Sequence, residues 1–367
     1  MRRVGLIGFG KIAEHGHLPA WQSFADVQIA AIADVSPERL DRARSLVHGA
    51  AVYDDPMQLI ADAQLDAVDI CTPPNTHVEL VLGACARGVA DIVCEKPLVL
   101  SEDDYARIAQ AKQRAGSRVV SVNNWLHSDL NRHVSMAIER GAVGTVQWAE
   151  LHTGRPDCAL GDVGWMPRWR TDPAFAGGGI ILDHGWHQLY LLLGWIRAPI
   201  ESVSAITRTV DDRHHPVEDE AQINMHFPAA QARIELSWTS NGRTNGGLIR
   251  GSDGSITIYD DRIMVENGAG QRDLPFCGKL TQSSYHPDWF EKVFKYNVLD
   301  RGEDEAERNF AEAGVIVSAI RAAYCSARGS GVPCRPLFPT EHAVSMALTE
   351  RAKTSNERGV GGGNSAA

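Results

Sequence analysis

The run GGGIILDHGWHQLYLLLGW, residues 177–195, is long and apolar enough for a helix, yet its first turns carry Asp183, His184 and His187. Imidazole titrates near neutrality and a carboxylate can orient it, so the trio could handle a proton. In a helix, Asp183 and His187 stand one turn apart on one face. Two other readings stay open. Two histidines and a carboxylate could ligate a metal, although no zinc-helix pattern such as H-E-x-x-H occurs and the expectation is no metal. Alternatively, Asp183 caps a helix behind the glycines 177–179 and the histidines are satisfied core groups.

A second chemistry sits at the other end of the chain. GLIGFGKIA, residues 5–13, follows an apolar strand and opens a helix. Gly8 permits a tight turn, Gly10 lets backbone approach a pyrophosphate, and Ala13 allows close helix packing. The helix N-terminus offers unpaired N–H groups to phosphates, so Gly8, Phe9, Gly10, Lys11 and Ile12 are the expected dinucleotide contacts. The next strand, VQIAAIAD, ends in Asp34, where a carboxylate accepts a ribose 2′-hydroxyl and repels a 2′-phosphate. That favours NAD; Ser36 and Arg39 keep NADP open. Two further strand ends face the same crevice. CTPPNTH, residues 71–77, supplies Thr72, Pro73, Asn75 and His77, and VCEKP, residues 93–97, supplies Glu95 and Lys96. A lysine before proline is held extended.

Elements that position these groups are legible in the patterning. Up to residue 122, five strand candidates alternate with helical stretches, the mark of a doubly wound parallel sheet. Asn75 and Ser101 are candidate N-caps, and Gly88 and Gly116 candidate helix stops. Beyond residue 145 the segments IESVSAITRTV, EAQINMHF, ARIELSWTS, GLIRGS and GSITIYD follow at hairpin spacing, with period-2 alternation. The fold class is therefore α/β: an N-terminal Rossmann domain, residues 1–122, and an α+β domain, residues 123–340, with an open, mostly antiparallel sheet. Residues 353–367 form a Gly-rich tail expected to be disordered.

At 367 residues, 44% apolar and 22% charged, the chain has material for two cores. A net charge of −10 argues against nucleic acid or an anionic membrane as partner. The start lacks the uninterrupted apolar h-region of a signal peptide, and no apolar run is long enough to span a bilayer. Seven scattered cysteines without a C-x-x-C pair fit a reducing compartment, and the expected location is cytoplasmic.

GFGKIA, CTPPNTH, EKP and GGGxxxDxGxH, in this order and spacing, resemble the Gfo/Idh/MocA family of oxidoreductases from Arg3 to about Pro336. The resemblance implies a pyridine nucleotide, oxidation of a carbinol on a sugar or cyclitol (or the reverse), and a homodimer or homotetramer. It carries a catalytic set onto Lys96, Asp183 and His187, and a cofactor contact onto Asn123. Hydride leaves a C–H only as the hydroxyl proton leaves too, so His187 suits a base, Asp183 an orienting group and Lys96 a cation at the reacting oxygen. The chain departs from the family pattern where Asn124 and Trp125 replace arginines and Tyr190 replaces an aspartate. Those losses favour a neutral polyol, with Trp125, Trp169 and Trp186 available to stack on a ring and Asn124, Asp157, Arg170, His184 and Trp238 as further pocket candidates. Two alternatives belong to other classes: a nucleotide-sensing regulatory protein, and an enzyme that retains its nucleotide while working through a transient keto sugar.

Overall fold

The computed structural model describes residues 1–162, 165–282, 285–300 and 303–337. The expected tail lies outside them. Strand β1 (Arg2–Ile7) leads through a π-helical turn into α1 (Leu18–Gln22), then β2 (Val27–Ala33), α2 (Pro37–Leu46), β3 (Ala51–Tyr53), α3 (Pro56–Asp62), β4 (Ala67–Ile70), α4 (His77–Ala86), β5 (Asp91–Cys94), α5 (Glu102–Ala115) and β6 (Arg118–Ser121). These six strands form a parallel sheet in the order β3-β2-β1-β4-β5-β6. Its order reverses between β1 and β4, and ligands gather beyond the carboxyl ends of strands at such a point. Strands β4 and β5 are buried along their whole length, as helices on both faces require. The short β3 and α3 were not among the sequence-based expectations, because three half-exposed residues leave almost no periodic signal.

The caps explain where helices begin. Ser36 and Ser101 accept the backbone N–H of Arg39 and Asp104, and Gly116 ends α5 in the left-handed region at φ 67°. Asn75 is not a cap: it sits inside a 3-10 turn, Pro74–Thr76, and α4 starts behind Thr76 with no side-chain bond.

After α6 (Asp129–Glu139) comes β7 (Val146–Gly154), then a loop, α7 (Pro173–Ala176) and α8 (Trp186–Ile196). Seven strands follow: β8 (Ser202–Arg208), β9 (Glu220–His226), β10 (Gln231–Ser237), β11 (Thr244–Gly251), β12 (Gly254–Ile258), β13 (Arg262–Asn267) and β14 (Gly270–Pro275). They join β7 in an eight-stranded sheet, β14-β13-β12-β11-β7-β10-β9-β8, antiparallel except between β7 and β10. Along β9 and β10 buried residues alternate with partly exposed ones, so one face packs on the core, which α8 occupies.

Two C-terminal helices, α9 (Pro287–Phe294) and α10 (Glu303–Arg328), return to the first sheet. Phe294 stacks on Trp21 at 4.0 Å between ring centroids. On α10, Asn309 accepts the Ser121 backbone N–H and donates to the Ser121 carbonyl, while Ser326 accepts the Ala205 backbone N–H. One helix therefore closes the open edge of β6 and borders β8. Residues 305–328 of α10 are long and apolar enough to cross a membrane, but 72% of the most apolar window is buried inside the protein, the position of a core helix.

Candidate functional site

A single cavity of about 690 Å³ runs from the β1 turn to the start of α8. Its nucleotide end is lined by Gly8, Gly10, Lys11, Ile12, Asp34, Thr72 and Pro73. Gly8 has φ 84°, and a Cβ there would lie 2.8 Å from the Thr72 side chain, so only glycine fits. A Cβ at Gly10 would meet open space, which leaves its backbone accessible to a phosphate. Asp34 accepts the Phe9 N–H at 2.6 Å and the Ser36 N–H at 2.8 Å, which fixes its carboxylate at the rim. These groups fit a dinucleotide. Arg39 is engaged by the Phe9 carbonyl, Glu14 and Asp162, so it is not free to receive a 2′-phosphate.

Three expected cofactor contacts lie elsewhere. Asn123 is buried behind the cavity, where its Oδ1 accepts the Trp186 indole N–H at 3.1 Å. His77 is fully buried, its ring nitrogens 2.8 and 2.9 Å from the Thr72 and Pro97 carbonyls, and so ties two rim loops together. Asn75 is exposed and does not line the cavity. Phe9 contributes backbone only, its ring being core.

The opposite end of the cavity gathers Lys96, Asp183, His184 and His187. Lys96, at the end of β5, donates to Asp183 Oδ1 at 3.0 Å and to its backbone carbonyl at 2.7 Å. The segment Ile181–Gly185 is a π-helical turn rather than the α-helical start expected, a widening often found at functional sites. Gly179 makes the entry possible, since a Cβ there would stand 1.9 Å from the Glu218 carbonyl oxygen. Burial works to raise the Asp183 pKa, but the cations Lys96 and Arg170 outweigh it and hold the carboxyl well below its usual range. Burial, then Lys96, pushes His187 well below 6.5; burial brings His184 to about 3 against the pull of Asp183. Both imidazoles are neutral. His187 Nδ1 lies 2.7 Å from Tyr190 Oη, which also accepts the Trp125 N–H at 3.1 Å. Tyr190 thus fixes the ring where the family pattern has an aspartate.

Among the remaining substrate candidates, Asn124, Trp125, Asp157, Trp169 and Arg170 line the cavity. Trp186 and Trp238 do not: both are fully buried core residues, Trp238 against His214. Helix α8 is buried on every side from Trp186 to Trp195, and Trp238 continues the inward alternation of β10 one residue past its end.

Other groups escaped the sequence reading. Arg155, just past β7, lines the cavity, as do Trp165, Tyr285 and Phe290. Beneath Lys96, His17 is fully buried with Nδ1 2.8 Å from Asp69 Oδ2 and Nε2 3.0 Å from Glu95 Oε1. Burial opposes a charged ring there, yet Asp69 and its neighbours raise the His17 pKa well above 6.5, so it is an imidazolium. Glu95 Oε2 in turn accepts the Lys96 backbone N–H at 2.9 Å. His17, Asp69 and Cys71 also bring three ligand-type atoms within 4.8 Å, as do Asp157, Cys158 and His214. The first group is bound up in this ion pair, and the second is crowded by Arg168 and Arg213.

Residues 2–124 match the oxidoreductase family with an NAD-binding Rossmann fold, and residues 131–257 match the GFO/IDH/MocA C-terminal domain. Myo-inositol 2-dehydrogenase of Thermotoga maritima is 33% identical over 269 residues, 73% of this chain and 74% of that protein. D-apiose dehydrogenase of Paraburkholderia graminis is 34% identical over 40% of this chain and 38% of its own. Among solved structures, an oxidoreductase from Agrobacterium radiobacter in complex with NAD+, L-tartaric acid and magnesium superposes with a TM-score of 0.78 at 23% identity, covering 91% of this chain and 98% of that one.

Proposed function

The chain belongs to the Gfo/Idh/MocA oxidoreductases, and from that premise we propose that it transfers a hydride between NAD and the carbinol or ketone of a sugar or cyclitol, with Lys96, Asp183 and His187 as catalytic residues. One observation carries this reading: the Lys96–Asp183 pair at 3.0 Å and a neutral His187 line the same cavity as Gly8, Gly10 and Asp34. Bound NAD+ supplies the hydride acceptor at its nicotinamide ring. The residues handle what remains. As the carbinol C–H gives up its hydride, the hydroxyl proton must leave, and His187 Nε2 is the neutral acceptor on the cavity side when Nδ1–H faces Tyr190. Lys96 stabilises negative charge growing on the substrate oxygen, and Asp183 holds the lysine in place. Asp34 at the rim and the engaged Arg39 support NAD over NADP. The open face of the eight-stranded sheet is where a second copy would pack in a dimer or tetramer.

The test is reduction of NAD+, followed at the reduced-nicotinamide band, across a panel of cyclitols, aldoses and sugar acids. In the variants Lys96→Ala and His187→Ala, kcat falls by roughly 10²–10⁴-fold. Undiminished turnover in both removes the site assignment.

A further inference from the structure

The substrate end of the cavity holds a cation, Arg155, that forms no direct ion pair among the described residues. Arg155 is 4% exposed. It donates through Nη1 to the Gly154 and Thr244 carbonyls at 2.7 and 2.9 Å, and through Nη2 to Asn245 Oδ1 at 3.0 Å. Its Nε–H has no partner, and no ion pair involves it among the described residues. A guanidinium removed from water with only neutral hydrogen-bond partners is costly, and burial, then Arg243, depress its pKa to about 10 against the opposing pull of Asp183 and Asp260. It nonetheless stays charged at neutral pH. The charge reaches the reaction centre, since it bears on both His184 and His187.

Two of the nearby carboxylates, Asp183 and Asp157, are already paired with cations. Asp183 pairs with Lys96, with Arg170 Nε 3.7 Å away. Asp157 is shared by Arg168, Arg213 and His214. Asp260 also acts on Arg155, but its two oxygens accept from Thr281. Arg243 stands exposed at the mouth and lines the same cavity. Beside them Asn124, 8% exposed, presents an Oδ1 without a partner. The pocket therefore offers one buried guanidinium with an unpartnered N–H together with one unmet acceptor.

Resting on the oxidoreductase reading above, the geometry points to a polyhydroxy carboxylate, a uronate or aldonate, as the substrate class, its carboxylate received by Arg155. A planar guanidinium matches a carboxylate through paired N–H groups, and Arg243 closes the charge balance from the mouth. Asn124 accepts from a hydroxyl. The neutral polyol expected from the missing arginines at 124 and 125 gives way, because the cations enter from the end of β7 and the turn before β11 instead of from the end of β6.

The test titrates the full chain loaded with NAD+ against D-glucuronate, D-galacturonate and D-gluconate, each beside D-glucose, D-galactose, myo-inositol and D-glucose 6-phosphate, with NADH formation measured on the same panel. One acid binds roughly tenfold to hundredfold tighter than its neutral counterpart. Arg155→Gln abolishes that ratio, Arg155→Lys restores part of it, and the exposed Arg243→Gln reduces it severalfold. Retained NAD binding and an unchanged melting profile certify the fold of each variant. Acids that bind no better than neutral sugars, a ratio that survives in Arg155→Gln, or a preference for the phosphate each overturn the proposal. Turnover of neutral sugars without charge selectivity keeps the dehydrogenase reading and removes the carboxylate subsite. Charge-selective binding without turnover of any compound keeps the subsite and removes the dehydrogenase reading.

Discussion

Tyr190 shows how a residue that departs from a pattern can still fill its place. Its hydroxyl reaches His187 Nδ1 at 2.7 Å and holds the ring by a neutral bond. Tyr190→Phe keeps the shape and removes that bond, so kcat falls roughly tenfold to hundredfold while KM moves little, as for other residues that orient a working imidazole. An unchanged kcat in steady-state assays would falsify this positioning role. Lys96, Asp183 and His187 are singled out by the family resemblance, and they line one cavity. Arg155 is not singled out, because an arginine after a strand is ordinarily a solvated charge. Only the neighbouring backbone carbonyls and the burial reveal otherwise. Asn123 and His77 mislead in the opposite direction, since polar groups at strand ends serve equally to tie loops together.

Local sequence foretells many of the strands and helices, but not β3, α3, α6, β7, β13 or β14, nor the departures from regular geometry. The glycine-rich entry to α8 reads as a plain helix, but the π turn at Ile181–Gly185 depends on how Glu218 packs against Gly179. The turn leading to α1 is likewise π-helical and presents His17 between Asp69 and Glu95. His17→Leu would strand two buried carboxylates and cost about 3–5 kcal/mol in urea denaturation. A loss under about 1 kcal/mol would show that the ion pair is dispensable. The pH sign follows from direction. The folded pKa of His17 lies above its unfolded value of about 6.5, so its stabilisation is complete below that pH and fades as alkali titrates the folded ring. Glu95, held low against the effect of burial by His17, loses its share only in acid, below its unfolded value of about 4.3.

At the scale of the molecule, alternation of strands and helices announced a parallel sheet and hairpin spacing a second one. Their mutual arrangement could not be read, because it depends on contacts between residues almost two hundred positions apart. Asn309 on Ser121 is one such contact. It also bears on how the protein can be divided. A fragment ending at residue 122 retains all six strands of the first sheet but loses α9 and α10. Phe294 no longer covers Trp21, and the backbone of Ser121 is left without Asn309. Expressed alone, that fragment should aggregate or melt well below the intact chain, which scanning calorimetry and light scattering would register. A monomeric fragment with native-like melting would show that the returning helices are accessory.

The same returning helix limits how the crevice breathes. Bonded to β6 near one end and to β8 near the other, α10 acts as a splint that ties the two sheets together. A swing of one sheet away from the other would have to break these bonds, so the splint favours a crevice of fixed width.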